Sequence, residues 1–227
     1  MDPGCPPGIP ATQICEESNP AWSLDGTRIA FVNAYGKIRR IRGIQWIDVG
    51  AVAVMNADGS DRRQLTQLAR PTSAEDTEPV WPPDGKRIAF VRHNSTARPR
   101  NKRAIFVINA DGSGQRRLTP WRLDAGDHPD WSPDGKRILF RSPSENFAGS
   151  NLYTVRPNAT GLRQLTRFGR PVQMFSASYS PDGKSIVFAK TGRGRLPDLF
   201  AIRPDGTGLR QITRTSAWDS APDWGRR

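Results

Sequence analysis

Four near-copies of one sequence word, a tight-turn pair inside every copy and a period-two apolar run after each turn predict an all-β fold. The architecture they define is a β-propeller of four-stranded blades. The copies read NPAWSLDGTRIAFV from Asn19, EPVWPPDGKRIAFV from Glu78, HPDWSPDGKRILFR from His128 and SASYSPDGKSIVFA from Ser176. A second word follows each at a variable distance: VMNADGSDRRQLT, VINADGSGQRRLT, VRPNATGLRQLT and AIRPDGTGLRQIT. The aromatic marker moves from Trp22 to Trp81, Trp131, Tyr179 and Trp224, in steps of 59, 50, 48 and 45 residues. Each step is the length of one blade.

Within a unit, the first strand (A) ends at the aromatic marker. Asp25-Gly26, Asp84-Gly85, Asp134-Gly135 and Asp182-Gly183 then supply the positive φ that a tight turn needs. Strand B follows as Ile29/Phe31, Ile88/Phe90, Ile138/Phe140 and Ile186/Phe188, whose alternation selects one face. The second word encodes strand C, a second turn (Asp58-Gly59, Asp111-Gly112, Asn158 to Gly161, Asp205-Gly206) and a short strand D. Strand D ends in Leu65, Leu118, Leu165 or Ile212. Such a meander cannot bury both its faces alone, and radial stacking of blades buries them. The expected blades span 19–66, 78–119, 128–166 and 176–213, within a propeller of residues 12–224 flanked by a segment 1–11 and a tail 225–227. Residues 12–15 (TQIC) match the D word and 221–224 (APDW) the A word. The expectation is therefore four complete blades with a partial one at each end: an open arc, a piece of a longer propeller, or a ring completed by self-association.

Composition agrees. The chain has 227 residues with 21 Gly and 20 Pro, a turn-rich balance, and is long enough to bury a core without staples. No apolar run approaches the length of a membrane-spanning helix, and no charged–apolar–small order marks an export signal. Two cysteines, Cys5 and Cys15, exclude a disulfide framework and a cysteine-based structural zinc site; one bridge between them or two thiols are both allowed.

Catalytic signatures are absent from the sequence. The segment from Ser178 to Ser185 nearly spells a phosphate-binding loop, but Ser178 stands where its first glycine belongs, and the segment lies in a hairpin. The Asn-Ala-Asp-Gly-Ser turns lack calcium-loop spacing, and no G-x-S-x-G occurs. His93 and His128 are too few for a multi-histidine metal centre, although His128 beside Asp124, Asp127 and Asp130 has the chemistry of a cation ligand. No metal or cofactor is expected. Asn94 and Asn158 head glycosylation sequons, and Trp46, Trp121 and Trp218 lie outside the repeat words.

Charge is unevenly placed. Lys and Arg number 34 against 22 Asp and Glu, a net +12 dominated by arginine, as a GC-rich genome or an acidic partner would favour. The B–C loops hold most of it, with Lys37, Arg39, Arg40 and Arg42 in the first, Arg92, Arg98, Arg100, Lys102 and Arg103 in the second, and Lys190, Arg193 and Arg195 in the fourth. The D–A connections are acidic: Glu16, Glu17, Glu75, Asp76, Glu78, Asp124, Asp127 and Asp219. In an up-and-down meander these two sets share one end. The predicted partner-binding residues are therefore Asp76, Asp127, His128 and Asp219 near the axis, with Arg39, Arg40, Arg100 and Arg103 steering acidic groups from outside. Nucleic acid is disfavoured as the ligand, because the arginines lack interleaved aromatics and the acidic zone repels a phosphate backbone.

The words P-x-W-S-P-D-G-K-x-I-x-F and N-A-D-G-S-x-x-R-x-L-T resemble the WD40-like repeat of TolB-type bacterial β-propellers, over roughly Ala11 to Gly225. The resemblance implies a non-catalytic scaffold that binds a protein or peptide through its loop face, in the periplasm or outside the cell. With Met1 as the true start and no leader, the cytoplasm is implied instead. Similar repeats form the gating propellers of prolyl-oligopeptidase-type peptidases, which makes a propeller separated from its catalytic domain the alternative. The sequence departs from TolB in lacking its N-terminal α/β domain and in having four complete blades where TolB has six.

Overall fold

The computed structural model describes residues 14–36, 39–41, 44–46, 49–67, 74–94, 102–142, 149–191 and 196–224. They form four antiparallel four-stranded sheets, each an A-B-C-D meander. The first contains β1 (Ile14–Trp22), β2 (Arg28–Gly36), β5 (Val49–Asn56) and β6 (Arg63–Gln64). Its B–C connection carries a small hairpin of β3 (Arg39–Ile41) and β4 (Ile44–Trp46). The second contains β7 (Ala74–Val80), β8 (Arg87–Asn94), β9 (Lys102–Asn109) and β10 (Arg116–Arg117). The third contains β11 (Gly126–Trp131), β12 (Ile138–Ser142), β13 (Asn151–Val155) and β14 (Arg163–Gln164). The fourth contains β15 (Met174–Tyr179), β16 (Ile186–Lys190), β17 (Asp198–Ile202) and β18 (Arg210–Gln211). The one helical element described is a single 3₁₀ turn at Trp121–Leu123. The fold is thus all-β and built of propeller blades. It divides into two compact units, residues 1–101 with 106–116 and residues 102–105 with 117–227.

Three local devices recur, and each follows from the repeat words. Before the proline of the A word, the chain takes a left-handed residue: Asn19 (φ 49), Glu78 (φ 53) and His128 (φ 48). Strand pairing slips at these places, between Ser18 and Ala21, Thr77 and Val80, and Gly126 and Asp130, so each A strand carries a β-bulge. The A–B turn is closed by serine and aspartate. The Ser132 hydroxyl donates to Asp134 Oδ1 and accepts the Arg137 N–H, as Ser23 does with Asp25 and Arg28, and Ser180 with Asp182 and Ser185. Finally, the threonine ending each D word turns its hydroxyl onto strand C. Thr66, Thr119, Thr166 and Thr213 accept the N–H of Val52, Ile105, Leu152 and Leu199, each at 2.9 Å. A two-residue D strand cannot satisfy that donor with its own backbone, so the hydroxyl completes the ladder.

The B strands differ from their sequence reading in one respect. Alternation suggested one chosen face, but Ile138, Leu139 and Phe140 are all buried, as are Ala30, Phe31 and Val32. Both faces of these strands are covered, so small or aliphatic residues fill the positions between the marked ones. In the second unit the core runs through Leu139, Leu152, Leu165, Met174, Tyr179, Ile186, Phe188 and Ile202. In the first, Phe90 stacks on Phe106 at 5.7 Å, and the Trp81 indole N–H donates to the Ala21 carbonyl of the preceding A strand.

The expected partial strands at the ends are corrected. Ile14 and Cys15 are not a separate D strand; they begin β1, paired with Gly36 and Tyr35, because β2 is long enough to offer them partners. Residues 221–224 form no strand, although Ala221 (φ 52) keeps the bulge conformation of the A word. Residues 12–13, the segment 1–11, the tail 225–227 and the Cys5 and Cys15 side chains lie outside what is described.

Replacing Thr166 with valine is expected to orphan the buried Leu152 N–H and lose the Asn151 contact, costing about 1–3 kcal/mol. The urea midpoint should fall with an unchanged m-value.

Candidate functional site

Two acidic residues of the D–A connections, Asp76 and Asp124, are buried in holding the sheets. Asp76, on β7, is 0% exposed and grips Arg92 of β8 in a bidentate pair at 2.6 and 2.7 Å. The guanidinium also reaches Gln115 and lies over the Phe106 ring at 4.7 Å. Burial pushes the Asp76 carboxyl upward, against the hydrogen bonds and charge of Arg92 and a hydrogen bond from Thr66. Asp76 therefore does not present an open carboxylate to a partner, and Arg92, read from sequence as a loop cation, is spent inside the same pair. The neighbouring backbone is packed to match. A side chain on Gly50 would meet the Glu75 side chain at 2.9 Å and the Asp76 carbonyl at 3.3 Å.

Asp124 is buried in the same manner, accepting the Arg103 N–H at 3.1 Å and lying 3.5 Å from Lys102 Nζ. Lys102 and Arg103 accordingly begin β9 and are not loop residues. Asp198, also buried, accepts from Gln211 and from the Thr215 N–H.

His128 fills the left-handed bulge position of the third A strand, the slot held by Asn19 and Glu78 elsewhere, and its side chain is exposed. That backbone role explains a histidine here, since His and Asn tolerate this conformation better than most residues. Asp127 lies in β11, with its side chain outside the described residues. Arg39 and Arg40 lie in β3, paired with Trp46 and Gln45 in backbone register; their side chains, and the whole of Arg100, are likewise outside. Among the described residues no cluster of three or more His, Cys, Asp or Glu side chains is placed to hold a metal ion.

Asp219, like His128, stays accessible. It is half-buried, accepts the Thr215 hydroxyl at 3.0 Å, and adjoins Trp218, which is 57% exposed and edge-on to Phe175 at 5.5 Å. The sequence placed Trp218 outside the repeat words. It could not show that Phe175 props the indole toward solvent, because that contact joins strand A to the segment after strand D.

A further acid, read from sequence only as a neighbour of His128, has a structural role that was missed. Asp130 Oδ2 accepts the Tyr179 N–H at 2.7 Å, tying strand β11 to β15. Burial pushes its carboxyl up to about 6, only partly offset by the Tyr179, Ser178 and Trp131 hydrogen bonds, while the charge of Asp223 pushes further. Its signal was the Asp shared by HPDW and APDW, which was hidden because the other A words carry apolar or small residues there.

Four repeated A-B-C-D meanders, with an ion pair buried between strands A and B of the second, define a β-propeller domain. The TolB beta propeller domain profile matches residues 17–225, and the chain belongs to that family. TolB from Acinetobacter baumannii superposes with a TM-score of 0.63 at 20% identity, over 91% of this chain and 45% of that one. The putative TolB from Agrobacterium tumefaciens gives 0.59 at 17% identity, over 87% and 80%. A puromycin-hydrolyzing peptidase of Mycobacterium tuberculosis gives 0.63 at 18%, over 90% and 32%. The chain thus spans under half of the Acinetobacter protein, and the likenesses are of fold. No curated protein matches the sequence.

Asp130 sets a pH dependence. An unfolded aspartate titrates near about 3.9, whereas the folded one holds its proton up to about 6. Over that interval the native state binds more protons than the unfolded state, so this group's contribution to stability is full below the interval and lost as pH rises through it. Asp130→Asn, which keeps an acceptor for the Tyr179 N–H, should gain on the wild type by on the order of 2–3 kcal/mol between pH 4 and pH 7. Parallel urea titrations of the two proteins across that range check this.

Proposed function

We propose that the chain is a non-catalytic scaffold that binds a protein or peptide through the end of its sheets bearing the B–C loops and D–A connections, in the periplasm or outside the cell. The observation that carries this reading is the Trp218–Asp219 pair. A large indole held in water by an aromatic prop, beside a carboxylate, is the composition of a recognition anchor. The basic residues Arg39, Arg40, Arg100 and Arg103, read from the sequence as steering groups, would speed association with an acidic partner and lose influence with salt. The sequence contains no nucleophile elbow, phosphate loop or histidine cluster, which supports binding without chemistry. The peptidase-linked alternative places its catalytic serine in another domain, and an α/β-hydrolase domain encoded beside this one would favour it.

Peptides selected on the protein from a displayed random library should bind through this end. Trp218→Ala is expected to weaken the selected peptides about tenfold or more, and charge reversal of Arg39, Arg40, Arg100 and Arg103 to slow their association. Peptides indifferent to both changes, or labelling of the chain by a fluorophosphonate probe, would remove this reading.

A second reading, self-association, is supported by the two end sheets. Trp22 is 60% exposed, whereas Trp81, at the same place in the second sheet, is 9% exposed against the first. Ile212 is 43% exposed, whereas Leu65, Leu118 and Leu165, its counterparts, are at 8% or less. Trp22 of the first sheet and Ile212 of the fourth each expose apolar surface that their counterparts bury. Light scattering should show mass rising with concentration for the wild type and a stable monomer for Trp22→Ser; a wild-type monomer throughout would exclude it.

A further inference from the structure

The A–B and C–D turns of the third and fourth sheets enclose a cleft at the opposite end of those sheets from their B–C loops. Its volume is about 580 Å³, the size of a small-molecule site. It is lined by Pro133, Lys136, Arg137, Arg156, Tyr179 and Pro204, with Asp134 and Asp182 at its turns.

The first two sheets show what normally fills this place. There Arg28 lies over the Trp81 ring at 4.6 Å and donates from Nη2 to the Gly85 carbonyl at 2.7 Å, closing the gap. The corresponding residues in the cleft are Arg137, Tyr179 and Gly183. Tyrosine stands where tryptophan would, and Arg137 turns back onto its own sheet, to Thr154 Oγ1 at 3.1 Å and the Gly161 carbonyl at 3.3 Å. The substitution leaves two groups unused. The Tyr179 hydroxyl is buried without a hydrogen-bond partner, on a residue only 6% exposed. The Arg156 guanidinium, at the exposed rim, has no hydrogen-bonded or ionic partner among the described residues. The two carboxylates are already engaged. Asp134 takes the Ser132 hydroxyl and the Lys136 N–H, and Asp182 takes the Ser180 hydroxyl and the Lys184 N–H. What remains for a ligand is one hydroxyl donor, a free guanidinium, the weakly held Lys136 ammonium 3.7 Å from Asp134, and two proline faces.

We propose that this cleft binds an apolar carboxylate: Arg156 and Lys136 neutralise the headgroup, the Tyr179 hydroxyl donates to one of its oxygens, and Pro133 and Pro204 flank its apolar body. A free small acid and the C-terminus of a peptide share this chemistry. The site is independent of the partner-binding end described above.

The test is a titration of isotope-labelled protein, followed by amide shifts, with N-acetyl-leucine, N-acetyl-leucinamide, inorganic phosphate, and the tripeptide Ala-Ala-Leu as free acid and as C-terminal amide. The acid is expected to shift Lys136, Arg156 to Gly161 and Gly183, with the leucinamide and phosphate at least tenfold weaker. Arg156→Gln should weaken the acid about tenfold and Tyr179→Phe several-fold. Tyr179→Phe also removes an unpartnered hydroxyl, so its melting temperature should not fall. Tyr179→Trp, which restores the aromatic of the filled gap, should abolish binding. Entry of the tripeptide acid but not its amide assigns the peptide source, and entry of N-acetyl-leucine alone assigns small acids. No shift at roughly 10 mM acid, equal binding of the leucinamide or of phosphate, or wild-type affinity in both Arg156→Gln and Tyr179→Phe would overturn the proposal.

Discussion

A strand with apolar side chains on both its faces cannot stand at a protein surface, and the B strands here are such strands. Phe140 sits between Leu139 and Arg141 with all three buried, and Phe188 between Val187 and Ala189 likewise. Burying both faces demands a sheet on either side, and the remaining features serve that demand. The sheets must be narrow, so strand D is cut to two paired residues and a threonine hydroxyl finishes its hydrogen bonding. They must also approach closely, so strand A bends at a left-handed residue before proline, and polar groups caught at the contact are paired, as Asp76 is with Arg92. Removing one partner of such a pair leaves a buried charge, which is far costlier than the pair is beneficial.

The architecture was legible in the sequence because every structural requirement is written four times. Asp-Gly at the A–B turns, Ile-x-Phe in strand B and Leu-Thr or Ile-Thr at the end of strand D each recur at a fixed place within their word, and repetition separates a requirement from an accident. What was misread falls where the words stop repeating. Ile14 and Cys15 resembled a D strand over four letters, yet the length of β2 decides their pairing. The hairpin of β3 and β4 has no counterpart among the described residues of the other sheets and left no periodic trace.

The site was less legible, for an electrostatic reason. Sequence counts charges but does not show which are opposed across a strand pair. Asp76 and Arg92 are partners in backbone register, so a residue assigned to an acidic rim and one assigned to a basic loop cancel each other inside the sheet. Asp130, by contrast, has no cation among its hydrogen-bond partners, and reading it as a neighbour of His128 did not reveal its bond to the Tyr179 N–H. Trp218 was visible as a departure from the words, and its exposure required the position of Phe175.

The unequal treatment of the tryptophans has an optical consequence. Trp22 and Trp218 stand mostly in water, whereas Trp81 and Trp131 are shielded, Trp81 with its indole N–H engaged. The folded chain's emission is therefore a superposition of red-shifted and blue-shifted components. A dissolved quencher reaches the first set long before the second. Iodide, drawn to a chain of net charge +12, would discriminate between them more sharply than neutral acrylamide. Quenching thus separates events at the exposed tryptophans from loss of the core, within one sample and without an added label.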